Sequence, residues 1–179
     1  MRLSRTIYNT IASRFGEPLP PLVGAEIGVY RGDTSFALLS LIPRLTLKMV
    51  DQWCEIARET EYHKTGDSIA KFSQAEFNQI HMVGCERVSM FAPRAEIIRR
   101  SSPDAAKLVI DQSLDFAFID AEHTEDAVQA DIAAWHCKIK PGGLFLGHDY
   151  GHRRYPGVKI AVDQFAASHG YKASFPGYS

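Results

Sequence analysis

Cysteine is scarce in this sequence, and long apolar runs are absent from it. The three cysteines, Cys54, Cys85 and Cys137, are odd in number and widely spaced, which fits neither a disulfide framework nor a paired CxxC zinc site. No apolar run approaches the ~18 residues that cross a membrane, and the N-terminus lacks the apolar stretch of a signal peptide. We therefore expect a cytoplasmic protein with no membrane partner.

An excess of charge of either sign is also lacking. The chain has 179 residues and carries 20 Lys and Arg against 21 Asp and Glu, so its formal net charge is −1. This balance provides no field that would attract nucleic acid, which we exclude as a partner. The length and the 45% hydrophobic content suit one compact domain. We expect a helix and linker over residues 1–21 and the domain over 22–179. Whether it forms a homo-oligomer stays open.

Short apolar runs alternate with amphipathic stretches along the chain. The runs at residues 22–29, 45–50, 95–99, 114–119 and 144–147 are typical of strands, and the stretches between them have helical spacing. Strands that are apolar on both faces indicate a parallel sheet covered on both sides. We therefore predict an α/β fold with a doubly wound, mostly parallel sheet and helices on both faces.

Local signals predict where some of these elements begin and end. Asp33 or Thr34 is expected to cap the first helix inside the domain. Gly84 is expected to interrupt a helix within residues 68–91, and Pro141-Gly142-Gly143 to end a helix that includes Ile139. Only residues 171–179 remain for a terminal strand, so that region of the sheet is predicted to be shortened.

Polar residues follow every predicted strand. They are the 26–32 loop, Asp51, Ser101-Ser102, the 120–123 segment and His148-Asp149. Right-handed crossovers place all these strand ends at one edge of a parallel sheet, where ligands bind in open α/β folds. The sequence therefore predicts a single binding site at that edge.

The first loop and Asp51 point to a cofactor with a ribose. The glycines of the 24–32 loop are not spaced as GxGxxG, and Glu26 would repel a phosphate but attract an ammonium group. Asp51 can accept two hydrogen bonds from a ribose diol. Both nicotinamide and adenosyl cofactors carry that diol, so Asp51 alone does not choose between them.

Several segments together resemble a known family. GAEIGVYRGDTS, LKMVDQW, LDFAFIDAEHTEDAVQADIAAWHCKIKPGGLFLGHDY and PGVKIAVDQF are similar to the class I S-adenosylmethionine-dependent methyltransferases, most of all to the methyltransferase domain 24 family. The likeness runs from about Val23 to Phe165. It implies a Rossmann-like fold, S-adenosylmethionine as cofactor and transfer of a methyl group to a small-molecule acceptor.

The resemblance also implies positions for the cofactor. Glu26 and Gly28 would lie at its methionine end, with Gly32 completing the loop. Asp51 would hold the ribose hydroxyls, and Gln52 or Trp53 would flank the adenine. Ser101 or Ser102 would approach the adenine from the third strand, and Asp120 would lie near the cofactor amino group or the reaction centre.

Catalytic and metal-binding residues are expected after the fourth and fifth strands. Related catechol O-methyltransferases hold a divalent cation there, and this sequence offers Asp120, His148 and Asp149, unless these residues only hydrogen-bond loop backbone. A histidine ligand would favour a borderline metal over Mg²⁺. A hydroxyl acceptor needs a base, for which His123 or His148 titrates in the useful range. We prefer His148, because Asp149 can orient its imidazole.

Two other functions stay open. A nicotinamide-dependent oxidoreductase is compatible with Asp51 but lacks the GxGxxG spacing and a second domain for substrate. A non-catalytic S-adenosylmethionine-binding module is the other, because a shared fold does not establish an activity.

Overall fold

The computed structural model describes residues 2–175 and contains a single sheet flanked by helices. The helices are α1 (Arg2–Phe15), α2 (Asp33–Leu41), α3 (Glu61–Lys64), α4 (Gln74–Val88), α5 (Ser102–Ala106), α6 (Glu125–His136) and α7 (Pro156–His169). The strands are β1 (Leu22–Ile27), β2 (Leu45–Asp51), β3 (Ala95–Arg99), β4 (Leu114–Ile119) and β5 (Ile139–Gly147). Short 3₁₀ turns cover Ile69–Lys71 and Ser89–Phe91.

The sheet has the order β3-β2-β1-β4-β5, and all of its pairs are parallel. The chain winds outward from β1 to β3 and then returns to the other side of β1 for β4 and β5. The strand order therefore reverses between β1 and β4, and a ligand crevice opens at such a point beyond the carboxyl ends of the strands. This confirms the doubly wound α/β fold.

Alternate residues of the strands face two separate cores. Leu47, Met49 and Phe116 pack with α1, α2 and α4 on one face. Ala25 and Val50 pack with α5 and α6 on the other. Because a slip of one residue would exchange the two faces, this pattern fixes the register of the strands. The expected covering of both faces is confirmed.

Helix α1 packs directly on the first of these cores. Its Ile7 and Ile11 are buried with Leu22 of β1 and Leu38 of α2, and the Arg14 Nε donates to the Gly142 carbonyl of β5 over 2.6 Å. The helix over the first residues is thus present as predicted. The division of the chain at residues 21 and 22 stays a prediction.

Gly84 does not interrupt a helix, contrary to the prediction. Helix α4 runs through it, and a Cβ at this position would lie 3.6 Å from the Tyr30 carbonyl oxygen and 3.8 Å from the Arg31 carbonyl carbon. Both distances are ordinary van der Waals contacts, so Gly84 lies where α4 packs on the loop after β1. Glycine disfavours a helix only modestly, and the packing of α4 outweighs this preference.

Two other predicted boundaries were also wrong. Helix α6 ends at His136, and Pro141-Gly142-Gly143 lies inside β5, where the register against β4 shifts between Leu114 and Phe116. Proline and glycine are tolerated there because β5 is an edge strand. The residue that precedes α2 is Gly32, with φ 73°, rather than Asp33 or Thr34.

No strand follows β5 among residues 148–175. The last four residues of the segment predicted to form a terminal strand, 176–179, lie outside the described part of the chain. Within residues 2–175, no helix combines the length and apolar character that a membrane crossing requires.

Candidate active site

A cavity of about 300 Å³ opens at the carboxyl edge of the sheet, over the ends of β1, β2 and β4. It collects most of the predicted cofactor residues. Those that line it are Gly28, Asp51, Gln52, Trp53, Ser101, Ser102 and Asp120. Glu26 and Gly32 are not among the lining residues.

Gly28 allows β1 and β4 to end side by side beneath the cavity. Its φ is 90°, and a Cβ on it would lie 2.1 Å from the Asp120 carbonyl oxygen. The Asp120 N–H in turn donates to the Ile27 carbonyl over 2.8 Å. Any side chain at residue 28 would force these two loops apart. Gly28 therefore sets the floor of the cavity and the position of Asp120.

The Asp51 carboxylate ties two loops together. Its Oδ2 accepts from the Val29 and Tyr30 N–H groups over 3.0 and 2.9 Å, and its Oδ1 accepts from the Trp53 N–H over 2.9 Å. Tyr30 and Trp53 both have positive φ, 53° and 40°, a strained conformation that this carboxylate helps to hold. A carboxylate accepts about four hydrogen bonds, so Asp51 keeps room for one ligand hydroxyl rather than the expected two.

Trp53 forms a fixed part of the cavity wall. It is 1% exposed, and its indole N–H donates to the Tyr30 carbonyl over 2.9 Å. Its own carbonyl accepts from Arg99 Nη2 over 2.8 Å and from Gln74 Nε2 over 3.0 Å. These contacts hold the start of the segment that follows β2.

Glu26 is a buried acid behind the cavity wall. It is 2% exposed, and its carboxyl accepts a hydrogen bond from the Ser35 hydroxyl of α2. Burial raises the pKa of Glu26 to about 8, and the negative charges of Asp120 and Asp51 raise it further. The hydrogen bond from Ser35 acts in the opposite direction and lowers the pKa. This hydrogen bond links β1 to α2, and the predicted attraction of Glu26 for an ammonium group stays a prediction. Gly32 likewise serves as the turn into α2.

The segment after β2 covers the cavity. Ile56, Tyr62 of α3 and Ile69 line it together with Cys54, so this segment is an ordered cover with an apolar inner side. Asp67, which is 6% exposed, accepts from the hydroxyls of Tyr62 and Tyr155 over 3.2 Å each. The second of these bonds joins the cover to the turn before α7.

An ionisable cluster adjoins the cavity where β4 and β5 end. His148 Nδ1 lies 3.4 Å from Asp120 Oδ1 and 3.2 Å from Asp149 Oδ2. Hydrogen bonds to Asp120 and then to Asp149 raise the pKa of His148 to about 10. Burial opposes ionisation of Asp149, but the neighbouring imidazoles of His123 and His148 outweigh burial and lower the pKa of that carboxyl.

His123 completes this cluster from the other side. Its Nε2 lies 3.0 Å from Asp149 Oδ2, and its Nδ1 lies 3.5 Å from Asp67 Oδ2. Its ring stacks on Tyr155 with centroids 4.0 Å apart. Both ring nitrogens are buried, yet neither has a well-aligned hydrogen bond. Buried polar atoms normally have partners, so this imidazole has unused capacity to bind a ligand.

The donor set that fits a cation differs from the predicted one. Ligand atoms of Asp120, His123 and Asp149 all lie within 4.8 Å of one another, whereas the sequence suggested His148 as the histidine. Two carboxylates and one imidazole suit a borderline divalent metal. The structure thus brings His123 into the set through its stacking on Tyr155, a contact that no sequence motif signalled.

Comparisons with known proteins identify the family. The family model of methyltransferase domain 24, which is described as a methyltransferase domain, matches residues 25–150. The chain belongs to the methyltransferase domain 24 family. It is an S-adenosylmethionine-dependent methyltransferase. No curated protein matches the chain.

Solved structures share the fold of this methyltransferase. A proposed caffeoyl-CoA O-methyltransferase from Staphylococcus aureus is 15% identical with a TM-score of 0.68, over 100% of this chain and 79% of the other. A precorrin-6y C5,15-methyltransferase from Geobacter metallireducens is 16% identical with a TM-score of 0.61, over 93% and 72%. A Burkholderia thailandensis 1,6-didemethyltoxoflavin-N1-methyltransferase with bound S-adenosylhomocysteine is 14% identical with a TM-score of 0.50, over 79% and 49%.

The buried Glu26 of this methyltransferase predicts how its stability depends on pH. The raised pKa means that the folded state keeps the proton up to about pH 8, whereas the unfolded state releases it above its ordinary value. Stability due to this group therefore falls as the pH rises from 5 to 7.5. We expect Glu26→Gln to remove this loss, which we put at about 3 kcal/mol.

Chemical denaturation across that pH range measures the difference between the two proteins. Glu59→Gln, a change at an exposed glutamate, is the matched control and should follow the wild type at every pH. Parallel stability curves for wild type and Glu26→Gln would show that Glu26 ionises normally in the folded protein.

Proposed function

We propose that this methyltransferase transfers the methyl group of S-adenosylmethionine to a hydroxyl oxygen of a small molecule. The observation that carries the proposal is the ionisable cluster of Asp120, His123, His148 and Asp149. It adjoins the cavity through Asp120, which belongs to both. Free thiols at all three cysteines support the expected cytoplasmic location.

The residues that line the cavity support one proposed orientation of the cofactor. We place its methionine end over Gly28 and beside Asp120, its ribose at the remaining acceptor position of Asp51, and its adenine between Trp53 and Ser101. All these residues line the same cavity. This orientation directs the methyl group toward the cluster at the ends of β4 and β5.

Methyl transfer demands alignment of the acceptor, the methyl carbon and the sulfur more than covalent help from the protein. A hydroxyl acceptor must also lose its proton, and a positioned base contributes to that step. The cluster supplies this function. The cover formed by residues 52–72 excludes water from the transfer and is the place where acceptor choice resides.

His148 can act as this base only under one electrostatic condition. The two carboxylates raise its pKa to about 10, so at neutral pH the imidazole already holds its proton. It accepts another group's proton only when other positive charge offsets Asp120 and Asp149, because its pKa then returns toward the ordinary value of about 6.5.

The cluster also fits a cation that would meet this condition. Asp120, His123 and Asp149 would hold it, given the proximity of their ligand atoms and the unpartnered His123 nitrogens. When bound, a divalent cation supplies Lewis acidity that lowers the pKa of a coordinated hydroxyl. His148 is then free to orient or deprotonate the acceptor from the rim, where its side chain is 42% exposed.

The proposed cofactor is tested first by thermal shift. We expect S-adenosylmethionine and S-adenosylhomocysteine to raise the Tm, since a ligand that binds only the native state stabilises it, and NAD to leave it unchanged. A methyl-transfer assay on hydroxylated metabolites and sugars then tests the acceptor. A shift with NAD alone would favour the oxidoreductase, and a shift with the sulfur compounds without turnover on any acceptor would favour a binding module.

The role of the cluster predicts that turnover and cofactor binding respond separately. His148→Ala should lower kcat by about 100-fold or more, because a general base contributes at least that much. Removal of divalent cations with a chelator should lower kcat comparably, and Mn²⁺ should restore it. Affinity for S-adenosylhomocysteine, measured by calorimetry, should stay close to that of the untreated wild type in both cases.

His169→Ala is the matched control, since His169 is exposed at the end of α7 and should leave kcat unchanged. Full turnover in His148→Ala would reject this residue as the base. Purified protein without metal, together with activity that chelators do not affect, would reject the cation.

A further inference from the structure

A buried carboxylate lies on the cavity wall, outside the cluster described above. Asp131 is in the middle of α6 and is 4% exposed, yet it lines the cavity together with Ser102 and Pro103 at the start of α5. Neither the sequence motifs nor the proposed mechanism assigns it a role. A carboxylate so deeply buried is rare without partners.

The hydrogen bonds around Asp131 leave it under-occupied. The Trp135 indole N–H donates to Ser102 Oγ over 2.9 Å, so the single hydroxyl proton of Ser102 is available for Asp131, with which Ser102 hydrogen-bonds. A carboxylate accepts about four hydrogen bonds. Within residues 2–175 no lysine, arginine or histidine pairs with it.

A single donor is a poor match for this carboxylate. Burial raises the pKa of Asp131 to about 6 against the effect of the Ser102 hydrogen bond, so the group is mostly ionised at neutral pH and has Ser102 as its one donor among residues 2–175. A buried charge with unfilled acceptor positions is unfavourable. A ligand that brings an N–H donor to this wall of the cavity would relieve that cost.

The position of Asp131 identifies the donor. The cofactor carries donors in three places, which are the ammonium group at the methionine end, the ribose hydroxyls and the 6-amino group of adenine. Gly28 and Asp120 follow β1 and β4, Asp51 ends β2, and Ser102 follows β3 on the far side of β2. In the cofactor placement given above these are the methionine, ribose and adenine parts of the cavity, and Asp131 lies with Ser102 in the third. The 6-amino group is the one N–H donor that adenine offers.

We propose that Asp131 accepts a hydrogen bond from the 6-amino group of the cofactor's adenine and, with Ser102 holding it in place, selects adenine over a 6-oxo base. The proposal rests on the cofactor placement given above. It makes Asp131 a specificity-determining residue. A 6-oxo base places a carbonyl oxygen where adenine has the amino group, and this oxygen repels the carboxylate. Its N1–H donor belongs to a different ring position and points in a different direction, so it does not replace the lost hydrogen bond without a shift of the base.

The test compares S-adenosylhomocysteine with S-inosylhomocysteine, in which oxygen replaces the 6-amino group. Calorimetry on the wild-type protein should give a Kd for the inosyl compound that is higher by about 30-fold, since an unsatisfied buried acceptor weakens binding by about that factor. Equal Kd values for the two compounds would overturn the proposal. This ratio requires no variant, so it holds whatever a substitution does to folding.

Asp131→Asn then assigns the preference to this residue. The amide is isosteric and can donate to the 6-oxo group, so the ratio should fall to about threefold or less. Asp126→Asn changes an exposed aspartate on the same helix and should keep the wild-type ratio. An Asp131→Asn protein that folds and keeps the full ratio would show that Asp131 does not contact the base.

The outcomes separate this proposal from the proposed function. If the wild type binds S-adenosylhomocysteine but does not discriminate against the inosyl compound, the cofactor site stands and the role of Asp131 falls. If it binds neither compound, the cofactor site itself is wrong and the role of Asp131 falls with it.

Discussion

The close approach of β1 and β4 at their carboxyl ends is the constraint on which the rest of the site depends. It requires Gly28, because a Cβ there would lie 2.1 Å from the Asp120 carbonyl oxygen. The same approach places Asp120 over the point where the strand order reverses. Asp120 thereby belongs both to the cavity proposed for the cofactor and to the ionisable cluster. The cavity and the cluster are adjacent because β1 and β4 end in close contact.

Charge is the second property that organises the site. Asp120, Asp149 and Asp67 surround His123 and His148. Glu26 is buried behind the cavity wall, and Asp131 is buried on that wall. Carboxylates at this density repel one another, so each ionised acid needs a donor or a cation. Ser35 serves Glu26 and backbone amides serve Asp51. The acids with fewer such partners, among them Asp131, are the ones for which we propose ligands.

The fold and the edge that carries the site could be predicted from the sequence, because apolar strands and the polar residues that end them are local signals. The spacing around Asp51 and Ser101-Ser102 identified the cavity residues correctly as a group, while their contacts with a cofactor stay predictions. Gly84 and Pro141-Gly142-Gly143 misled the prediction of boundaries. Gly84 lies where α4 packs on the loop after β1, and the other segment lies in an edge strand, so both depend on tertiary neighbours.

The parts that could not be predicted involve residues distant in sequence. His123 joins the cluster because Tyr155 stacks on it and Asp67 faces it, and these residues come from three separate loops. Asp131 follows the helical pattern of α6 as a polar residue, and only the fold shows that it turns inward to Ser102. The hydrogen bond between Glu26 and Ser35 could not be predicted, because Ser35 is a common helix residue that belongs to no motif.

A structure of the protein with S-adenosylhomocysteine tests the central claim most directly. The account predicts the compound in the cavity over β1, β2 and β4, with its ribose at Asp51, its sulfur near Asp120 and its base beside Ser101. The compound bound in another part of the molecule, or in this cavity with its ribose away from Asp51, would contradict the account.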